Sequence, residues 1–466
     1  MNSTRATAIP EAHADPQAHL ILYGSRLRVL WHMAWPAIAV MMAFGLNAVM
    51  DAVYIGHLIG EQALAGAVLA YPLTQLTLGL GSLAGIGGGV ALSIAIGRAD
   101  RDTVKQLPGT AVTIAFGLSV GYALLGGSLA EKLVYAMGAR DDLVPIAAAY
   151  LRASALGGFG AIGGLTLNML LRGEGKMKLA AGYMATGLLI NIALTPLFIA
   201  VFDWGVAGAA WATNIGGAVG GLLVWRRFAK GRASYPVDAR FLGLPRALAG
   251  RIVRLGTPAM VQSSTGLVQA VVVFNMLSRI GDEADIAFFG AAWRVLLFML
   301  TPLFGLMRAF QPVAGINYGA GQWLRIRDSY WTFVAAGAAM IVPIWIAMNL
   351  FPEATLALML PDTVLTAIDL HRFRVLILVL PVLPIVFTAL ALLPAIEQPG
   401  KATLVSVSRQ FLFYVPVMLT LPSLIGVSGV YYGATSIDFV CALWLLGIVL
   451  VTFRGATGQS SLPADR

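Results

Sequence analysis

Two aspartates in this chain stand where a carboxylate is expensive. Asp51 lies inside an apolar run, roughly 9 Å from its end near His57 if the run is helical, and Asp438 lies about twelve residues into another. An ionisable side chain surrounded by hydrocarbon marks an ion or substrate pathway unless a neighbour pairs with it. For Asp51 the functional reading is the stronger one, while for Asp438 pairing and function stand level. Asp369 and Glu397 sit close to the ends of apolar runs and are expected to reach water. Arg294 and Arg308, fourteen residues apart, are separated by roughly 320° of helical rotation and so face a similar direction. They can line an anion-accepting cavity, pair with an acid such as Asp438, or snorkel.

The rest of the chain excludes most other chemistry. Its five histidines are scattered and its one cysteine, Cys441, is inside an apolar run, so neither a metal site, a disulfide framework nor a CxxC redox pair is available. No acid/base cluster supports an embedded transferase, and no organic or metal cofactor is expected. Arg172-Gly173-Glu174-Gly175-Lys176-Met177 lacks the first glycine and the Ser/Thr of a phosphate loop and reads as a basic turn. Gly81, Gly85 and Gly89 are spaced four apart within a span, which suits close helix packing rather than nucleotide binding.

The elements that must position these residues follow from composition. Of 466 residues 58% are hydrophobic, 52 are glycine and only 11% are charged, which excludes a soluble globular protein. Runs long enough to cross a bilayer fall at 30–56, 63–95, 108–131, 144–171, 178–202 and 204–226, then at 251–279, 285–318, 329–352, 364–395, 402–424 and 427–453. The expected fold is therefore all-α with 12 transmembrane helices. The net charge of +9 does not signal nucleic acid, because about 22 Lys and Arg flank one side of the spans and about three the other. Both termini are expected in the cytoplasm. The expected division is a cytoplasmic segment 1–29, a first lobe 30–228, a linker 229–250, a second lobe 251–453 and a cytoplasmic tail 454–466.

The halves repeat at an offset of about 222 residues: Pro36-Ala37 falls on Pro258-Ala259, Gly97 on Gly319, and Leu151-Arg152 on Phe373-Arg374. Six spans per copy keep both copies in one orientation, a parallel repeat with its axis along the membrane normal. Pro36 is expected to kink the first helix.

Several blocks together resemble the multidrug and toxic compound extrusion (MATE) family of efflux antiporters over about 30–453. They are Trp35-Pro36-Ala37-Ile38, Asp51-Ala52-Val53-Tyr54-Ile55-Gly56, Gly205-Val206-Ala207-Gly208-Ala209-Ala210-Trp211-Ala212-Thr213, Gln311-Pro312-Val313-Ala314-Gly315-Ile316-Asn317-Tyr318-Gly319-Ala320-Gly321, Arg409-Gln410 and Gly426-Val427-Ser428-Gly429-Val430-Tyr431. The resemblance implies two six-helix lobes, a central cavity, and export of amphipathic, often cationic small molecules driven by a proton or sodium gradient across the inner membrane. It is similar to the DinF-like branch, whose acid on the first helix corresponds to Asp51 and whose polar partners correspond to Tyr150, Asn191 and Thr213. Thr195 departs from that pattern, standing where a second carboxylate is expected. Axial arithmetic puts Tyr150, Thr195 and Thr213 at about the depth of Asp51, roughly 9 to 13 Å from the outer surface.

With one acid rather than two, the coupling ion is expected to be a proton, with sodium as the alternative. The expected partners are small amphipathic substrates and the lipid bilayer, with a monomer as the functional unit. A lipid or lipid-linked-sugar flippase is the competing transporter, and a passive channel or membrane-embedded transferase the competing class.

Overall fold

The computed structural model describes residues 15–230, 242–357, 359–360 and 365–459, and these residues form helices joined by short turns, without a strand. In a bilayer this is the economical solution, because a helix satisfies its own backbone groups where no water can. The first half contains α1 (Pro16–Tyr23), α2 (Arg26–Leu58), α3 (Glu61–Thr74), α4 (Leu76–Gly97), α5 (Arg101–Ser128), α6 (Ala130–Ala136), α7 (Leu143–Leu156), α8 (Gly158–Gly173), α9 (Met177–Pro196) and α10 (Gly205–Ala229). The second contains α11 (Arg246–Ile280), α12 (Glu283–Gly319), α13 (Trp323–Leu350), α14 (Pro352–Ala357), α15 (Ala367–Ile377), α16 (Leu383–Ala395), α17 (Pro399–Val407), α18 (Val415–Ile425) and α19 (Ser428–Gln459). Eleven of these stretches are long and apolar enough to span a membrane, and α7 with α8, bent by 48°, supplies the twelfth. Large apolar side chains such as Leu189, Phe298, Leu424 and Val451 remain exposed, as expected where lipid is the solvent.

Several expected boundaries shift. The polar start is not a plain tail: α1 lies within it, capped by Asp15, whose side chain accepts the Gln17 N–H at 2.8 Å. The third span begins at Arg101 rather than near 108, because Asp100 caps its polar first turns by accepting from Thr103 N–H at 3.0 Å. The last helix runs on to Gln459, past the expected end at 453, and α11 begins at Arg246 inside the expected linker. Residues 1–14, 231–241 and 460–466 of the expected N-terminal segment, linker and tail lie outside the described residues. Pro36 does not interrupt its helix, which is assigned without a break from Arg26 to Leu58.

Irregularity is concentrated in the spans that carry polar groups. At Gly157, between α7 and α8, the Asn214 side chain from α10 donates to the Ala153 and Ser154 carbonyls at 3.2 and 3.4 Å, supplying hydrogen bonds where the helix bends. A widened π turn, Leu197–Val201, follows Pro196 in the fifth span, and another, Ser408–Tyr414, occupies the eleventh. Such turns recur at functional sites.

The repeat is visible in the backbone. Ala99 and Gly321, 222 residues apart, both hold positive φ (58° and 72°), and so do Gly175 and Glu397 (79° and 59°) at the same separation. Equivalent residues also meet across the halves: a methyl group on Gly97 would overlap the backbone of Ile316 and crowd Gly319, and one on Gly315 would crowd Ser93. The axis relating the halves therefore passes between α4 and α12. A second close approach sets Gly87 of α4 against Ile252 and Gly256 of α11, again with no room for a β-carbon. The stripe of Gly81, Gly85 and Gly89 packs on Leu165, Thr166 and Met169 of α8.

Charged contacts reinforce this seam on the face of the bundle that carries α1 and the end of α19. Arg26 pairs with Asp328 at 3.1 Å, while Glu397 joins Arg98 at 2.6 Å and Arg251 at 2.8 Å. Helix α1 lies across the same face. Its Ile21 is fully buried, Asp15 pairs with Lys176 at 3.2 Å, and Arg325 of the second half donates to the carbonyls of Ile21 and Gly24 at 2.8 and 2.5 Å.

Candidate functional site

At the opposite end, seven residues before the end of α2 at Leu58 and thus about 10 Å inside it, Asp51 enters a small polar pocket. One turn earlier on α2, Asn47 points Nδ2 at Asp51 Oδ2, 3.4 Å away. The Thr195 hydroxyl of α9 has two acceptors for its one hydrogen, the Asn191 carbonyl at 2.9 Å and Asp51 Oδ1 at 3.3 Å. The Thr213 hydroxyl of α10 also lies at the carboxylate and accepts from Asn191 Nδ2 at 2.9 Å. Tyr150 of α7 and Tyr71 of α3 stand within electrostatic reach of the carboxylate. Five helices of the first half thus converge on one half-buried acid. No second carboxylate is found among its described partners, and no group of three or more His, Cys, Asp or Glu suited to a metal occurs among the described residues.

The pocket can hold its acid in two states. Charged Asp51 accepts from Asn47 and Thr195. Two buried amide oxygens, Asn47 Oδ1 and Asn191 Oδ1, have no hydrogen-bond partner. Both are acceptors able to receive a donor.

The second-half candidates do not form an equivalent pocket. Asp438 pairs with Arg409 through Oδ1, accepting from Nε at 2.8 Å and Nη2 at 2.5 Å, so its polar neighbour is a permanent counter-ion. Arg294 is exposed, whereas Arg308 lines a cavity at the seam with Arg172, and Arg294 is not part of its wall. Fourteen residues of helix, about 21 Å of axial distance, keep these two arginines apart despite their shared direction. The other arginines within spans are engaged: Arg152 with Glu131 at 2.7 Å, Arg372 with Asp285 at 2.8 Å, and Arg374 with the Asn349 carbonyl at 3.4 Å. Asp369 caps α15 together with Thr366. Glu397, expected to reach water, is partly exposed and also joins two arginines.

Asn47 escapes the sequence reading, and Glu397 and Arg172 take roles other than those it gave them. Asn47 has a simple signal, its i–4 spacing from Asp51 on one helix face. Glu397 has one in the repeat, which puts a glutamate where the first copy has Gly175. Arg172, read as part of a basic turn, is buried with 3% exposure.

Two repeated six-span halves around a seam, one half holding a lone acid among neutral polar groups, define a two-lobed membrane transporter rather than an enzyme. The chain belongs to the MatE family, whose profile matches residues 36–197 and 258–420, one match in each half. The multidrug export protein MepA of Staphylococcus aureus (strain MRSA252) is 22% identical over 435 residues, covering 93% of this chain and 96% of the relative. MepA of Staphylococcus saprophyticus subsp. saprophyticus is equally similar, at 22% over 437 residues, with the same shares of the two chains covered. Among solved structures, an outward-facing multidrug resistance MATE family transporter of the MOP superfamily superposes with a TM-score of 0.87 at 21% identity, covering 95% of this chain and 99% of that one. A MOP superfamily transporter from Pyrococcus furiosus, described as having a binding pocket of reversed polarity that suggests a different function, superposes at 0.86 with 22% identity, covering 94% and 98%. These likenesses establish the shared fold.

Proposed function

We propose that the protein is a secondary-active multidrug exporter of the bacterial inner membrane, acting as a monomer, that exchanges amphipathic, cationic compounds for protons by alternating access. The observation that carries this reading is the single carboxylate of Asp51 at the meeting point of five helices, and the resemblance to the MepA export proteins supports the substrate class. With both termini in the cytoplasm, the sealed seam closes the cytoplasmic side and the Asp51 pocket lies near the outside.

In this reading Asp51 takes up a proton from the outer side. Charged, it is an acceptor only, served by Asn47, Thr195 and Thr213. Neutral, it gains an O–H to donate, and Asn191 Oδ1 or the turned amide of Asn47 receives it. The exchange of acceptor for donor rearranges contacts between α2, α9 and α10, which is the repacking that releases substrate and resets the lobes.

Sodium is the second reading, favoured by the same two unpaired amide oxygens, which suit a hard cation. Against it stands Thr195, which leaves one carboxylate to balance the ion. The flippase reading is weakened because four of the six arginines within spans already have partners.

The test is dye efflux from proteoliposomes under a pH gradient or a sodium gradient, each imposed alone. Proton-driven export that persists in choline and is lost in Asp51→Asn supports the proposal. Strict sodium dependence at constant pH, or full activity of Asp51→Asn, overturns it.

A further inference from the structure

The cavity at the seam is small, about 10 Å³ or room for a single oxygen atom, and its wall carries two arginines and no acid. Its wall includes Arg172 from α8 of the first half and Arg308 from α12 of the second, with Ser93 and Gln311 beside them. The Arg172 Nε donates to Asn168 Oδ1 at 2.9 Å and its Nη2 contacts Met184 sulfur at 3.2 Å, but its Nη1 is buried with no partner. No carboxylate pairs with either arginine among the described residues. The two charges repel each other across the seam. An uncompensated pair of like charges in such a place is destabilising unless something neutralises it.

The repeat indicates that the fold does not require these arginines. Arg308 lies 222 residues after Ile86, and Pro394 lies 222 residues after Arg172, so each arginine has an apolar residue as its repeat counterpart. Gly89 with Gln311, and Val90 with Pro312, are likewise repeat counterparts that both line the cavity. The cavity therefore sits on the axis relating the halves, and its two charges are departures from the symmetry.

We propose that this cavity takes one oxygen of a small anionic group, a phosphate, sulfate or carboxylate whose remainder stands in the cavity's mouth, between Arg172 of one half and Arg308 of the other. Arg172 Nη1 supplies a free buried donor, and guanidinium N–H groups are strong charge-assisted partners of an oxyanion oxygen. Occupancy cancels the repulsion and ties the halves together, so the anion stabilises the state in which this seam is closed. The site is independent of the coupling at Asp51. The group has two sources, a free inorganic anion or the phosphate head of an anionic lipid whose tails lie in the bilayer.

Thermal unfolding of the full-length protein, followed by tryptophan fluorescence, tests this with two arms. In detergent, inorganic phosphate is titrated at constant ionic strength against chloride. In nanodiscs without phosphate, phosphatidylcholine alone is compared with phosphatidylcholine containing phosphatidylglycerol. The variants are Arg172→Gln and Arg308→Ile, the latter introducing the residue of the repeat counterpart so that folding is preserved. The expected result is a saturable rise in melting temperature in at least one arm, the responding arm identifying the source. In Arg308→Ile the apparent affinity falls at least about tenfold, the loss of one charge-assisted contact, while the ligand-free protein is no less stable than wild type. No response in either arm, or responses in both variants equal to wild type, overturns the proposal.

Discussion

The Thr195 hydroxyl lies 3.3 Å from Asp51 Oδ1 and 2.9 Å from the Asn191 carbonyl one turn earlier, so it can turn its one hydrogen to the acid or back to its own helix. A hydroxyl offers the charged acid a hydrogen bond without competing for its proton. Thr195→Val is expected to keep proton-driven export, with rates lowered by no more than about tenfold for one lost hydrogen bond. Thr195→Asp puts a second carboxylate beside the first and is expected to introduce sodium dependence. Efflux measured in sodium and in choline at fixed pH checks both outcomes, and a sodium-independent Thr195→Asp would argue against the charge-count explanation.

The Glu397 cluster gives a pH expectation. Burial pushes the Glu397 carboxyl up, but the Arg98 and Arg251 guanidiniums outweigh it and hold the group below its ordinary value. A carboxyl with a lowered value in the closed state contributes to closure above its open-state value. That contribution is lost as the pH falls through the lowered value, so it is constant through the neutral range. Arg98 is 42% exposed at its side chain, and the pair is expected to be worth about 1 kcal/mol or less. Glu397→Gln should raise the open fraction on this face by a few-fold at neutral pH, read as solvent accessibility of a cysteine in place of the near-isosteric Ser93. Closure that weakens steadily between pH 8 and pH 6 would contradict this assignment.

Arg409 and Asp438 should behave as a structural pair. Removing one partner, as in Asp438→Asn, leaves a largely buried charge unmatched and is expected to cost roughly 3 kcal/mol or more. The double variant Arg409→Met/Asp438→Leu should recover most of that stability and retain gradient coupling. Thermal unfolding and efflux of the three variants check this, and loss of coupling in a stable double variant would return Asp438 to the mechanism.

Topology is testable without transport. In a Cys441→Ser background, a cysteine at Gln322 should be labelled only from the cytoplasmic side, and one at Asp141 only from outside. Labelling at Gln322 by an impermeant reagent applied outside intact cells would invert the proposed orientation.

The spans were legible because about twenty apolar residues in a row admit few structures in lipid. Asp51 was legible for the same reason, as an exception to such a run. Axial depth groups Thr195 and Thr213 with it, since both count from a common membrane surface, and both hydroxyls lie at its carboxylate. What sequence could not supply was azimuth, the direction in which each helix presents a side chain. That is why Arg294 and Arg308 were grouped on rotation alone, and why Arg172 looked like a surface turn although it points into the seam. Asn47 escaped because an amide in an apolar run carries no penalty large enough to draw notice.

Helix α1 is joined to α2 through Gly24 and Ser25 and paired to the first half through Asp15 and Lys176, while its side packs on α12 of the second half. In the proposed rocking of the lobes the covalent link to α2 carries α1 with the first half, and what breaks is its packing on α12 together with the two bonds from Arg325. Connectivity thus selects the rupture point, and the strap behaves as a catch that delays one step without altering which step is favoured by the ion gradient. A bulky fusion before Asp15, or deletion of α1, would then be felt as a change of turnover frequency at unchanged stoichiometry.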